Sequence, residues 1–467
     1  MLTQGVAYLL AKLSLPAMTG MILFSMFSLA DTWFVARLGP DYLAALTLVI
    51  PVQVLITSMA SATGVGITSL IGRALGSGQR AYADNSAWHG LGLSIIYGFL
   101  LPLLGLAYID ELLCCFGCSK QILLLSKGYM QILLLGSVFT FVPIILCSVI
   151  QGEGNTFLPV LVSLVGIISN VILDPIFIFG LGPVKALGLN GAAIAGVLAQ
   201  VLATVLAAIL AIKRKRFLSW SWANFEPEGR VLLAIYKVGF PTLLMELAAV
   251  LVMGYMNRIL AGFSFTAVAA LGIFLRLRSM MYMPVFGLVQ ACMPIAAFAY
   301  GAGNLDRVKE TIIKASAAAF LFMSLAWYIM QFHPLSIIQY FSQDPALTIL
   351  GVNCMRLATV FVPLIGPLLI LNAVLQGVGR GFTAMFLSLC RQLGFFLPLL
   401  VLLPSQLGLN GVWLAFSISE LLAAILAFFI FIHLWQGLRS RPGRVPFFTQ
   451  LGWRYLVWRL YTWLKWR

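Results

Sequence analysis

Two carboxylates sit where charge is costly. Asp31 lies in FSMFSLADTWFVARLG, residues 24–39, and Asp174 lies in NVILDPIFI, residues 170–178; both stretches are otherwise apolar and long. An ionised side chain at the centre of a membrane helix costs roughly 2.5–3.5 kcal/mol, so each acid needs a partner, water, a proton or a cation. Counted from the same side, Asp31 is about 19 and Asp174 about 17 residues into its run, roughly 26–28 Å along a helix rising 1.5 Å per residue. Asn170 precedes Asp174 by four residues, so amide and carboxylate project from one helix face. In this half of the chain no Lys or Arg lies deep in an apolar run. Arg37, about one and a half turns beyond Asp31, can extend to the interface. Two acids and an amide without a fixed cation suit a proton or a small hard cation such as Na⁺ held by oxygens. Acids satisfied by helix–helix hydrogen bonds are the alternative reading.

The elements that must carry these groups are membrane helices. The chain has 467 residues, 61% hydrophobic and 9% charged, too few polar groups for a soluble protein of this size. Apolar stretches long enough to cross a bilayer recur from Leu13 to Trp435. We read an all-α integral membrane protein of twelve spans: 12–36, 43–71, 88–110, 128–151, 157–180, 189–213, 235–260, 266–298, 311–333, 352–376, 383–405 and 411–436. The net charge of +15 reflects loops on one side, where Arg73, Arg80, Lys213 to Arg216, Arg307, Lys309, Lys314 and Arg380 collect. That asymmetry puts both termini in the cytoplasm and gives no reason to invoke nucleic acid. Seven cysteines in such a chain suggest no disulfide framework, and the C-x-x-C in CCFGC (114–118) has no second pair to make a metal site. The three histidines are scattered and no H-E-x-x-H occurs, which argues against an intramembrane enzyme such as a lipid transferase or protease.

The two halves repeat. Pro16 matches Pro241, LAAL at 43–46 matches VAAL at 268–271, GSG at 76–78 matches GAG at 301–303, and QGEG at 151–154 matches QGVG at 376–379, all at an offset of 225. LGLNG at 187–191 returns at 407–411, with the offset shortened to 220. Six spans per repeat give both halves the same orientation, related by a pseudo-twofold axis along the membrane normal. The expected organisation is a first lobe at 1–212, a cytoplasmic linker at 213–234, a second lobe at 235–436 and a basic, Trp-rich tail at 437–467 lying on anionic lipid. Two such bundles face each other across a central cavity, the architecture of a transporter. In the second half the deep acids have basic neighbours at similar depth: Glu246 with Arg276 or Arg278, and Glu420 with Arg391, read as structural ion pairs. Pro16 and Pro175 each free a backbone carbonyl and invite a kink.

In order and spacing these pieces resemble the multidrug and toxic compound extrusion family, MATE, over nearly the whole length. The carriers are Pro16 to Asp31 followed by RLG and LAAL, then GSG, QGEGNT and NVILDPIFI, with GFP (239–241), PVFGLVQACMPIAAFAYGAG (284–303) and LQGVGRG (375–381) in the second half. The pattern is more similar to the prokaryotic DinF-type branch than to the NorM-type one. The resemblance implies two six-helix lobes, alternating access, and export of amphipathic, often cationic, compounds against inward H⁺ or Na⁺ flow across a prokaryotic inner membrane. It implies a monomer that meets small-molecule substrates and membrane lipids, with no cofactor besides the coupling ion. In that branch residues matching Asp31, Asn170 and Asp174 form the coupling site; GAAIAG (191–196) puts Gly196 where a Thr is often found, which favours protons, while Ala192 offers a carbonyl. Phe24, Met26, Phe141, Phe274, Met280 and Met283 are the candidate lining of a substrate cavity, since Met and aromatic faces adapt to varied apolar ligands. A flippase for lipid-linked glycans is the nearest rival, and a channel remains open.

Overall fold

A computed structural model describes residues 1–115, 120–180, 185–213, 218, 225–341 and 344–440, without an account of the side chains at 25–32, 36, 40, 43, 114–115, 120–121, 261, 265 and 434–440. The first half holds α1 (Val6–Ala36), α2 (Pro40–Gly76), α3 (Arg80–Ala107), the short α4 (Ile109–Cys115), α5 (Lys120–Leu135), α6 (Val138–Gly152), α7 (Phe157–Phe179) and α8 (Leu189–Lys213). The second repeats the series with α9 (Gly229–Ala261), α10 (Phe265–Gly301), α11 (Leu305–Phe332), the short α12 (Pro334–Phe341), α13 (Pro345–Ala358), α14 (Ile365–Gly377), α15 (Gly381–Leu389), α16 (Leu397–Leu407) and α17 (Leu409–Ser440). A π-helical segment, Cys390–Phe396, joins α15 to α16.

Ten of the described helices are long and apolar enough to cross a membrane, and counting each of two bent pairs as one span gives twelve. The fourth and tenth spans are not single rods, as their apolar runs suggest. α5 and α6 meet at 44°, and α13 and α14 at 48°. The first break falls at Gly136-Ser137 and the second at 359–361, where Pro363 lacks the N–H that would continue the helix. α9 begins at Gly229, inside the stretch read as linker, and α17 runs to Ser440; the tail from 441 onward and Cys118 lie outside the described residues.

Helix ends obey the repeat. Gly78 and Gly303 adopt φ of 80° and 72°, and Gly154 and Gly379 adopt 84° and 82°, each pair at the 225-residue offset. Those left-handed positions close α2, α10, α6 and α14 and explain the glycines of GSG, GAG, QGEG and QGVG.

The lobes are joined through the first two helices of each half, α1 against α10 and α2 against α9 and α10. One buried cluster runs from Val6, Leu9, Leu10, Leu13 and Met18 of α1 to Val285, Leu288 and Ile295 of α10. Another runs from Ile67 and Ile71 of α2 to Val231 and Ile235 of α9. Both lie in the half of the molecule that carries the N-terminus. Toward the opposite face the core divides: Val35, Leu46, Phe141 and Ile178 belong to a cluster of the first lobe alone, and Val252, Phe274, Leu400 and Trp413 to one of the second. The molecule is closed on one side and parted on the other.

The seam is close-packed and pseudo-symmetric. A methyl group added at Gly76 would strike the Phe298 carbonyl oxygen, and one added at Gly301 would strike that of Arg73. Gly76 and Gly301, like Arg73 and Phe298, are equivalents at the 225-residue offset. Ser69 Oγ donates to the carbonyls of Gln376 at 2.6 Å and Gly377 at 2.9 Å, and Gln151 Nε2 donates to that of Gln290 at 2.9 Å. Each bond crosses between lobes.

Candidate functional site

In the first lobe, α7 is flanked by α1 and α8. Its apolar sequence buries Asp174 completely, and Asn170 Nδ2, one turn earlier, donates to Asp174 Oδ1 at 3.0 Å. Spacing of four residues therefore does place amide and acid together. Pro175 has no N–H to give the Val171 carbonyl, yet α7 continues to Phe179 and closes on Gly180 at φ 77°.

α1 reaches this region from the N-terminal face as one helix with Pro16 inside. Thr19 Oγ1 donates to the Pro16 carbonyl at 2.9 Å, and Thr156 Oγ1 ties the start of α7 to the Leu13 carbonyl at 2.6 Å. At the far end the Phe34 and Phe179 rings meet edge to face, 6.3 Å between centroids. Asp31 and Asp174 precede these rings by three and five residues, so neighbouring helices carry both acids within about one and a half turns of that contact. The side chains of Met26, Phe27 and Asp31 lie outside the described residues. Arg37 is exposed and stacks on Trp33, 3.9 Å from the ring centroid.

α8 completes the enclosure. Leu187 and Gly188 donate backbone N–H bonds to the carbonyls of Phe177 and Ile178, at 3.0 and 3.2 Å. A Cβ at Gly191 would strike the Phe177 carbonyl, which explains why the start of α8 needs glycine. Ala192 is buried in one cluster with Val35 and Ile178. Gly196 falls one turn further along, where an added Cβ would stand 4.0 Å from Asn170 Nδ2. A side chain at 196 would face the amide of the acid pair.

The second lobe departs from the expected ion pairs. Glu246 does not meet Arg276 or Arg278; its carboxyl accepts a hydrogen bond from Ser58 of α2, across the seam. Arg276 is exposed. Arg278 lies over the rings of Tyr282 and Phe416, at 5.2 and 5.5 Å, and interacts electrostatically with Glu420, as does Arg391 of the π segment. Among the described residues Glu420 forms no salt bridge with Arg391, so the expected ion pair is not made, and depth along a helix missed Arg278 as a third member. Residues 276 and 278 share a depth but point about 200° apart around α10, and only 278 turns toward α17.

The proposed cavity lining divides as well. Phe24 and Met280 are exposed, at 47% and 54%, and Met283 is half-buried. Phe141 and Phe274 are corrections: at 0% and 1% exposure they are core side chains of separate lobes, Phe274 packed edge-on against Phe416 at 5.7 Å. Sequence reasoning also missed the seam residues Ser69 and Gln151, although Gln151 and Gln376 head the repeated QG motif.

Comparison with known proteins follows this duplicated geometry. The family model MatE matches twice, over residues 16–176 and 241–402. The chain is 30% identical to a FAD transporter of Shewanella oneidensis over 431 residues, 92% of this chain and 95% of that protein. It is 26% identical to the multidrug export protein MepA of Staphylococcus haemolyticus, covering 89% and 91%. Among solved structures it is similar to the outward-facing conformation of a multidrug resistance MATE family transporter of the MOP superfamily, with a TM-score of 0.87, 28% identity and 94% and 98% of the two chains covered.

Proposed function

Because the chain belongs to the MATE family of multi-pass membrane transporters, which are not enzymes, we propose that it is a secondary antiporter coupled at Asp31, Asn170 and Asp174. The observation that carries this reading is the full burial of Asp174, bonded to the half-buried Asn170 on α7, against the helix bearing Asp31. Protonation, or binding of Na⁺ with the Ala192 carbonyl assisting, neutralises the first lobe. α1 then bends near Pro16, cargo held between the lobes is released, and the parted face closes. The ion has to interact differently with the two states, since equal binding shifts nothing. The parted face is outward and both termini are cytoplasmic, in keeping with the basic loops on the closed side. The cargo is an amphipathic, cationic compound lodged against Phe24, Met280 and Met283, and the transporter works as a monomer in a prokaryotic inner membrane.

The test is ethidium efflux from proteoliposomes with the pH gradient and the Na⁺ gradient imposed separately. Asp31→Asn and Asp174→Asn are each expected to lose gradient-driven efflux at least tenfold while still binding ethidium. Wild-type efflux from either variant would remove it from the coupling site.

A second reading of the cargo has its own support. The relative from Shewanella oneidensis is named for FAD, a molecule with two phosphates, and the second lobe of this chain holds two interacting half-buried arginines. On that reading the cargo carries negative charge.

A further inference from the structure

We propose that the second lobe contains an anion subsite in which Arg278 and Arg391, with Glu420 as their internal counter-charge, receive one carboxylate or phosphate group of the cargo or a small inorganic anion. The inference rests on the transport reading above and assigns a role to residues that the coupling site does not use.

Three elements converge: α10 supplies Arg278, the π segment supplies Arg391, and α17 supplies Glu420. Their charges act on one another. Two guanidinium groups against one carboxylate leave a surplus of one positive charge inside the bilayer. Such a surplus is costly in a low-dielectric interior unless an anion joins it. The cluster is also unsatisfied internally. Among the described residues Glu420 forms no salt bridge with either arginine, and its Oε2 and the Nε of Arg391 are buried without a hydrogen-bond partner. Guanidinium forks match carboxylate and phosphate oxygens, which would accept from the idle Arg391 Nε.

Exposure gives the cluster a direction. Glu420 is only 6% exposed, whereas Arg278 and Arg391 are half-buried, so the reachable side of the cluster is cationic. The Arg278 guanidinium is held over the aromatic rings of Tyr282 and Phe416. Arg391 occupies the π-helical turn, a local widening that is frequent at functional sites and turns a side chain away from the register of an α-helix. The candidate coupling groups of the first lobe, by contrast, are the acids Asp31 and Asp174. A cargo bearing a negative group is therefore directed to the second lobe and leaves the acids of the first free to exchange the ion.

The experiment measures equilibrium binding of carboxyfluorescein, an anionic dye, and of ethidium to the purified full chain by fluorescence anisotropy. It is run in a chloride-free sulfonate buffer with no gradient. Arg278→Gln and Arg391→Gln are each expected to weaken carboxyfluorescein at least tenfold and to leave ethidium within about twofold, which also reports that the variants are folded. Glu420→Gln removes the competing negative charge and is expected to tighten carboxyfluorescein. Chloride added to the wild type separates the sources: competitive loss of the dye identifies an inorganic anion as an occupant, and insensitivity assigns the site to cargo. Unchanged carboxyfluorescein binding in both arginine variants overturns the proposal. So does a Glu420→Gln variant that weakens the dye as the arginine variants do, because that is the signature of a purely structural cluster. With no gradient present, failure here leaves coupling at Asp31 and Asp174 untouched.

Discussion

Glycines let the lobes approach closely on the closed side of the molecule, Gly76 and Gly301 as a symmetric pair among them, and Gly301→Ala tests how much depends on that approach. Its new methyl group would strike the Arg73 carbonyl oxygen, a backbone atom in α2 that cannot rotate away as a side-chain tip would. Overpacking of this kind costs about 1–3 kcal/mol. Here the cost falls on one state only, because Gly301 and Arg73 meet across the seam and separate when the closed side opens. A bias of that size multiplies the open-to-closed ratio by roughly 5–150. If the open form is about 1% of the wild type, it rises to between about 5% and 60% in the variant. Spin labels at Ser77 and Ala302, exposed equivalents on the two lobes, report the spacing by double electron–electron resonance on a background without native cysteines. We expect a second, longer distance in Gly301→Ala, and the same from Gly76→Ala, which strikes the Phe298 carbonyl at the symmetric position. A single wild-type distance in both variants, with unchanged thermal stability, would show that the lobes part elsewhere.

Other outcomes follow from individual contacts. Asn170→Ala removes the 3.0 Å bond to Asp174 and should displace the pH profile of efflux, while Asn170→Asp should not restore it, because it adds a third acid in place of a donor. Gly196→Thr would place a hydroxyl beside Asn170, and efflux driven by a Na⁺ gradient should gain relative to that driven by a pH gradient; an unchanged ratio would count against α8 as part of the ion site. Phe274→Ala should cost about 3–5 kcal/mol of stability from a fully buried position, with no selective effect among substrates. Met280→Ala, at an exposed position, should do the reverse, altering the substrate profile at little cost in stability.

Much of the fold was legible because the signals were long. Apolar runs set the number of spans, and a 225-residue offset held at four landmarks set the duplication, which the paired left-handed glycines repeat in the backbone. Asn170 and Asp174 were legible because a helix brings positions four apart onto one face. What could not be read was rotation. A membrane helix apolar all round has no polar stripe to say which side faces a cavity, so Phe141 and Phe274 looked like lining and proved to be core. Depth likewise paired Glu246 with arginines, whereas its carboxyl meets Ser58. The breaks at Gly136-Ser137 and 359–361 lie within continuous apolar runs, where the signal for length overrides the weaker signal for a bend.

Duplication explains why the two lobes can divide the work. The seam requires the same geometry twice, since each lobe must present a glycine to the other's carbonyl, and there the repeat keeps its offset of 225. Between QG and LGLNG the offset shortens to 220, and one of the differences in chemistry between the halves falls in that stretch. In the first half it contains an unbroken α7 with Asn170 and Asp174; in the second it contains a π-helical turn with Arg391. α7 and the α15–α16 span pack within their own lobes and are free to change register and charge together. Opposite charges in equivalent spans are then what a duplicated scaffold permits once one copy is relieved of binding the coupling ion. The reasoning has a direct consequence: grafting residues 157–179 into the second half in place of 381–407 should preserve the seam spacing seen by the spin labels at Ser77 and Ala302, yet abolish any preference for an anionic dye. A graft that opened the seam would show that register and chemistry are coupled after all.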